Sequence, residues 1–498
     1  MIAPVAETDA FASSRDLFEA ILGMLEGEEA AQLSHGELEE RLEAEGRSLL
    51  RRLLQDHLEL RALREERLNR VTGADGVARG NVEIQSRPLG TVFGEVVVER
   101  LAYRRPGHDN LYPADGVLNL PAEKHSHGLR KLAAVEAARG SFEGAQEAIE
   151  RATGQKLAKR QVEELAARAA VDFDHFYARR PLVAVSPGDV LVLSCDGKGI
   201  VMRPEALRKP TQAAAARASP KLKTRLSKGE KGNRKRMAEV GCVYDASPVP
   251  RVPADILVSR QRSSSKTAPK ARNKWAVASV VEDASAVVGW IFDEAERRDP
   301  KHLRPWVALV DGNNHQIERI QGEAHARDRS VPIVIDFVHV LEYVWKAAWS
   351  FYAEGDPAAE KWVHEKGIAI LEGQASQVAG AMRRSATKRG LDQAQREGAD
   401  KAADYLLRKR PHLDYPTALA NGWPIASGVI EGACRHLVKD RMDLTGARWG
   451  LEGAEAVLKL RVLRANADFT AYWRFHTSQE RLRVHATRYR NELIPGSK

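Results

Sequence analysis

A chain of 498 residues, 43% of them hydrophobic and with a net charge of +9, is too long for one ordinary core and is expected to form two to four domains. No run of about 18 uncharged apolar residues exists, so no membrane span is supported, and MIAPVAETDAFASSRD lacks the basic flank and apolar centre of a signal peptide, which points to the cytoplasm. Cys195, Cys242 and Cys434 are scattered without CxxC spacing, suggesting neither a disulfide framework nor a zinc knuckle.

Residues 15 to 70 read as helix, with Leu17, Ile21, Leu25, Leu38, Leu42, Leu49, Leu53 and Leu60 recurring near helical spacing. Gly27, Gly36 and Gly46 are expected to divide this N-terminal helical region, 1–80, into two or three helices. From 81 to 104 apolar and polar residues alternate around Gly90 and Gly94, which predicts a small hairpin or sheet. SFEGAQEAIERATGQKLAKRQVEELAARAA then predicts a helix, a break at Thr153 and Gly154, and a second helix with Lys156, Lys159, Arg160 and Gln161 near its start. That is the helix-turn-helix layout, whose second helix can enter a DNA major groove. A plain helical hairpin has the same pattern. Residues 81–185 are therefore read as a DNA-binding region.

A third region, 186–352, has an α/β character with a mixed sheet. VLVLSCDGKGIVM predicts a strand, a tight turn and a returning strand; EVGCVYDASPVPR and DILVSR are further strand candidates. NKWAVASVVEDASAVVGWIFDEAER is amphipathic enough for a helix, WVALVDG predicts a buried strand, and VPIVIDFVHVLEYVWKAAW a strand turning directly into a helix. Within this region, residues 203 to 236 hold twelve Lys and Arg, including Arg234, Lys235 and Arg236, against only Glu205 and Glu230. Such a block attracts phosphate backbones by counterion release, and it also suits a solvated loop. Residues 353–415 show helical periodicity and no convincing strand, which predicts a helical insertion before the last part of the core and the C-terminal tail, 416–498.

Three acids carry the chemical reading: Asp196 and Asp311 at the ends of apolar strands, each before a turn glycine, and Glu431 opening a helix with Arg435, His436, Lys439 and Arg441 behind it. A carboxylate at the edge of a buried strand is costly unless compensated. A divalent metal is the expected compensation, with Mg²⁺ or Mn²⁺ favoured by oxygen donors. Two such ions can activate one oxygen and stabilise another in phosphodiester cleavage. Asp336, also at a strand end, rivals Asp311 and is otherwise a helix N-cap. The cations behind Glu431 are expected to meet DNA phosphates. In TGARWG, Arg448 and Trp449 suit base stacking, or Trp449 a core anchor.

The order Asp196, Asp311, helical insertion, Glu431 resembles DDE transposases with a ribonuclease H-like core and an insertion before the glutamate, and Asp336-Phe337-Val338-His339 is similar to the D(2)H motif of the Mutator-like group. SCDGKG, KGNRKRMAEVGCVYD, VALVDGNNHQ and KDRMDLTGARWGLEGAEAVLKLR together resemble transposases of the Kra-type bacterial insertion sequences, over roughly residues 85 to 475. The resemblance implies an α/β core with a ribonuclease H-like mixed sheet interrupted by a helical insertion, and catalytic and metal roles for Asp196, Asp311 and Glu431 with two Mg²⁺ or Mn²⁺ ions. Asp336 and His339 would support them. It further implies double-stranded DNA as partner, both element ends and target, cleavage followed by strand transfer, at least a homodimer, and a nucleoid-associated location in the cytoplasm. A DNA-binding regulator descended from a transposase, and a structure-selective nuclease without strand transfer, are the alternatives.

Overall fold

The computed structural model describes residues 9–181, 188–217, 222, 224, 225, 227, 233–257, 267–444 and 446–496. Lys221, Lys223, Lys228 and Lys231 of the basic block, and the last three residues of DILVSR, lie outside them. The chain forms two compact units, one of Met1–Arg179 with Ala467–Lys498 and the other of Arg180–Asn466.

The first unit opens with helices Ala12–Glu26, Glu28–Gln32 and His35–Leu63. The breaks fall at Gly27 and at Ser34, where a capping box with Glu37 starts the long helix. Gly36 and Gly46 both lie inside that helix and do not interrupt it. Asp56 ties the helices together, accepting from the Ser14 hydroxyl at 2.5 Å and from Arg52 Nε at 2.6 Å. Strands β1 (Val71–Thr72) and β2 (Ala78–Arg79) form a two-stranded ribbon, and β3 (Asn81–Thr91), β4 (Gly94–Arg105) and β5 (His108–Leu111) form an antiparallel sheet. The regular in-out burial of β4 reproduces its apolar alternation.

Helices His127–Arg139, Phe142–Thr153 and Lys159–Ala169 follow, the first two capped by Ser126 and Ser141. Phe142–Thr153 ends on Gly154 at φ +68°, a left-handed residue that turns the chain into the third helix. The sequence grouped the last part of the core with the C-terminal tail, 416–498; helix Phe469–Val484 in that tail belongs to this first unit. Its polar face explains why: buried His476 bonds Asp172 at 2.7 Å, Glu480 pairs with buried Arg130 at 2.6 Å, and the Tyr472 hydroxyl donates to Ala169 O at 2.6 Å.

The second unit is built on a five-stranded mixed sheet: β6 (Val190–Val201), β7 (Lys235–Ala246), β8 (Ala271–Ser279), β9 (Trp306–Val310) and β10 (Ile333–Ile335), in spatial order β10-β9-β6-β7-β8. The first three strands pair antiparallel, and β9 and β10 run parallel to β6. Helix Ala284–Arg298 packs against β6 and β7, while Gly428–Ala433 packs against those strands and Leu451–Ala465 against β8. Burial on both faces accounts for the unbroken apolar runs VLVL and WVALV.

Three sequence expectations differ here. VLVLSCDGKGIVM makes no turn: β6 runs on through DGKG because Asp196, Gly197, Lys198 and Gly199 each pair with β7, so Asp196 lies inside the strand and Gly197 is no turn glycine. NKWAVAS is strand, not helix: Trp275, Val277 and Ala278 are buried in β8, whose edge at Ala276 is closed by the amide of Asn466 at 2.9 Å in both directions. The helix starts only after Asp283, which caps Ser285 N and Ala286 N. The start of DILVSR is a short helical turn, Pro253–Ile256, entered through proline at its first position. The expected insertion is helical, with Pro357–Leu371, Ala375–Lys388 and Glu397–Lys409. Among the described residues no helix is long and apolar enough to cross a membrane.

Candidate active site

Strand register brings the aspartates near one another. Leu193 pairs with Ala308 at the end of the parallel ladder, and Asp196 and Asp311 each follow three residues beyond that pair, close enough for the charge of Asp311 to act on Asp196. Ile335 pairs with Val310, so the next residues, Asp336 and Asp311, are level. Asp196 shares its sheet face with its cross-strand partner Val240, the alternation placing Gly197 and its partner Glu239 on the opposite face. Cys434, directly behind the Gly428–Ala433 helix, reaches Asp196 Oδ2 at 3.4 Å, so the helix bearing Glu431 covers the Asp196 side.

The four acids are held differently. Asp196 is partly buried and accepts from the Gly197 amide at 2.6 Å. Burial raises its carboxyl above the usual range; the Gly197 amide and the Cys434 thiol oppose that, and the like charge of Asp311 adds to it. Asp311 Oδ1 accepts from the Asn313 amide at 2.8 Å, folding the loop that follows β9, where Gly312 takes φ +94°. Asp336 is buried to 1% exposure and its two oxygens are engaged. Oδ1 caps Val338 N at 2.6 Å, and Oδ2 accepts the backbone N–H of Ser427 at 2.6 Å and the Ser427 hydroxyl. The Ser427 hydroxyl also lies 3.3 Å from Glu431 Oε1. Asp336 therefore holds the entry to the Glu431 helix, whereas Asp311 bonds within its own loop.

Beyond Ala433 the helix becomes π-helical over Cys434–Lys439. Such insertions often occur at functional sites. Arg435 and His436 are exposed and approach Asp440 at 3.6 and 3.2 Å, and Lys439 is exposed. His339 sits on the first turn after Asp336, with Nδ1 3.7 Å from Glu342. Its charge acts on Asp196 in the sense that favours the carboxylate.

The basic candidates divide. Lys156, Lys159 and Arg160 are exposed along the start of helix Lys159–Ala169 and pair with Glu150, Glu143 and Glu164 at 3.3, 4.0 and 3.0 Å. Lys235 pairs with Asp443 at 3.3 Å, and Arg234 contributes its carbonyl to Met202 N. Arg236 uses its guanidinium on three main-chain carbonyls, Val280 at 2.6 Å, Val281 at 3.0 Å and Ala206 at 3.3 Å. Arg448 is exposed, but Trp449 is a core residue: its indole donates to Met442 O at 3.0 Å, its backbone joins Val201 and Arg203, and Arg441 lies 4.7 Å over its ring.

Several contacting residues carry no sequence signal of their own. Glu239 lies across from Gly197, its carboxyl raised by burial and by the charge of Asp196 against Arg208 and Arg319. Ser427 is legible only as a small polar residue before a helix. Tyr405 and Lys409 approach the Asp311 loop from the insertion, at a sequence distance that periodicity cannot bridge.

The donor set, all carboxylate oxygen apart from the Cys434 thiol, suits a hard dication. Among the described residues no three His, Cys, Asp or Glu stand close enough to hold a metal as they are. Burial first, and the like charge of Asp311 after it, raise the Asp196 carboxyl, and a dication held there would offset both.

No protein-family model and no curated protein matches the chain. Among solved structures it is similar to the Drosophila P element transposase strand transfer complex, at 8% identity and a TM-score of 0.22, covering 69% of this chain and 79% of that one. A likeness at that score carries no argument about fold or activity.

Proposed function

We propose that this chain is a DDE transposase similar to those of the Kra-type bacterial insertion sequences, cutting DNA at mobile-element ends and joining the freed ends to target DNA. The observation that carries the reading is the proximity of Asp196, on β6, to Asp311, directly after the adjacent parallel strand β9, with Glu431 on the helix covering that side of Asp196. Three antiparallel strands followed by two parallel ones, with a helical insertion before the third acid, are what a ribonuclease H-like core with this motif order calls for.

In this reading Asp196, Asp311 and Glu431 hold two Mg²⁺ or Mn²⁺ ions, which when bound supply activation of the attacking oxygen and stabilisation of the leaving one. Asp336 fixes the Glu431 helix through Ser427, and His339 balances the charge on Asp196. Lys156, Lys159 and Arg160 meet DNA phosphates or bases from the helix-turn-helix, while Arg435, His436, Lys439 and Arg448 meet phosphates near the acids. Two element ends require at least two copies of the chain.

The test supplies purified protein with Mg²⁺, DNA flanking its own coding sequence, and a supercoiled target plasmid. Asp196→Asn, Asp311→Asn and Glu431→Gln are each expected to abolish cleavage and joining while DNA binding stays within about twofold. A variant that cleaves like the wild type removes its residue from the site. Cleavage without joining reduces the protein to a nuclease, and wild-type binding without cleavage makes it a regulator.

A further inference from the structure

The loop that presents Asp311 is grasped from outside the sheet. Gly312 stands at φ +94°, a conformation that disfavours any side chain, and a Cβ there would lie 2.8 Å from the Tyr405 hydroxyl. That hydroxyl donates to the main-chain carbonyl of Asp311 at 3.4 Å. The Tyr405 ring is itself fixed, stacked on Tyr343 with centroids 3.8 Å apart and planes 9° from parallel. Tyr343 lies on helix Phe337–Ala348, which Asp336 caps. One turn along the insertion helix, Lys409 is 8% exposed and donates from Nζ to the Asn314 side-chain oxygen at the far end of the same loop. A buried ammonium is costly without such a partner.

We propose that Tyr405 and Lys409, on helix Glu397–Lys409, are positioning residues that clamp the Asp311 loop at both ends and so set the affinity of the acid pair for its divalent ion. The proposal rests on the reading of Asp311 as a metal-holding acid. Groups behind a metal ligand commonly alter metal affinity by about tenfold or more when removed. The insertion is thereby part of the site's framework: it ties the Asp311 loop to the helix that begins at Asp336.

The full-length protein without DNA is titrated with Mn²⁺, read by calorimetry and by thermal shift. Tyr405→Phe, which keeps the stacked ring, and Lys409→Met are expected to weaken Mn²⁺ binding by about tenfold, with Lys409→Arg restoring part of it. The Tyr405→Phe melting temperature without metal stays near that of the wild type. A merely structural clamp would move that melting temperature and leave the Mn²⁺ midpoint alone, which overturns the proposal. So does a wild-type midpoint in Tyr405→Phe when Lys409→Met fails to fold. If Asp196→Asn and Asp311→Asn bind Mn²⁺ like the wild type, the functional reading fails; if they lose it while Tyr405→Phe and Lys409→Met do not, only the clamp fails.

Discussion

Asp336 accepts both the backbone N–H of Ser427, at 2.6 Å, and its hydroxyl, so the end of β10 is fastened to the start of the helix that carries Glu431. A carboxylate with 1% exposure and every contact made is a joint, and its loss strands buried donors.

Asp336→Ala is accordingly expected to cost about 2 to 4 kcal/mol, from the lost cap on Val338 and the orphaned Ser427 donors. Asp336→Asn retains an acceptor and should cost less. Urea denaturation of the two variants checks the order, and an equal loss in both would show that charge rather than geometry matters there.

Asp196 leads to a prediction of opposite sign. Burial and Asp311 raise its carboxyl above the unfolded value, so the folded state holds the proton more tightly. Protonation then supports the fold at low pH, and that support is lost as pH rises through the raised pKa. At neutral pH without metal, Asp196→Asn should melt higher than the wild type while losing cleavage. Adding Mn²⁺ should raise the wild-type melting temperature and leave the variant unmoved. Melting curves that start below the unfolded carboxyl value of about 3.9 and run to neutral pH decide it.

The buried cluster in the first unit predicts acid sensitivity. Hydrogen bonds from His476 and Arg483 outweigh burial and hold the Asp172 carboxyl down at about 2. Its stabilising effect is present above the unfolded carboxyl pKa, about 3.9, and fades as pH falls through the folded value. Asp172→Asn should flatten the acid limb of a stability-pH profile and lower stability at neutral pH.

Salt dependence separates surface from framework among the arginines. Replacing Lys156, Lys159 and Arg160 together by Gln should weaken DNA binding and lower the slope of log affinity against log salt by about 2 to 3. Arg236→Met should leave that slope alone and instead cost about 1 to 3 kcal/mol, because three carbonyls lose their donor. A changed slope in Arg236→Met would return that residue to the DNA surface.

The sequence made the strands of the second unit legible where both faces are buried, as in VLVL and WVALV, and it marked Asp196 and Asp311 by the glycine after each. It misread NKWAVAS because a buried edge strand rich in alanine has no period distinct from a helix. It left Asp336 and Asp311 as rivals because both end strands, and no local pattern foretells the contact of Asp336 with Ser427. Trp449 looked equally suited to surface or core until its indole was found on Met442 O. The transfer of helix Phe469–Val484 to the first unit follows from partners such as Asp172 and Arg130, hundreds of residues away.

That transfer has a consequence for how the protein comes into being. Helix Gly428–Ala433 lies C-terminal to the aspartates, and helix Phe469–Val484 completes the first unit, which the chain leaves at Arg179 and re-enters only at Ala467. A chain cut before Ser427 keeps Asp196, Asp311 and helix Lys159–Ala169, yet it has neither Glu431 nor the donors that Asp336 accepts from. The buried pairs of His476 with Asp172 and of Arg130 with Glu480 thus form only once the whole sequence of the second unit lies between their partners.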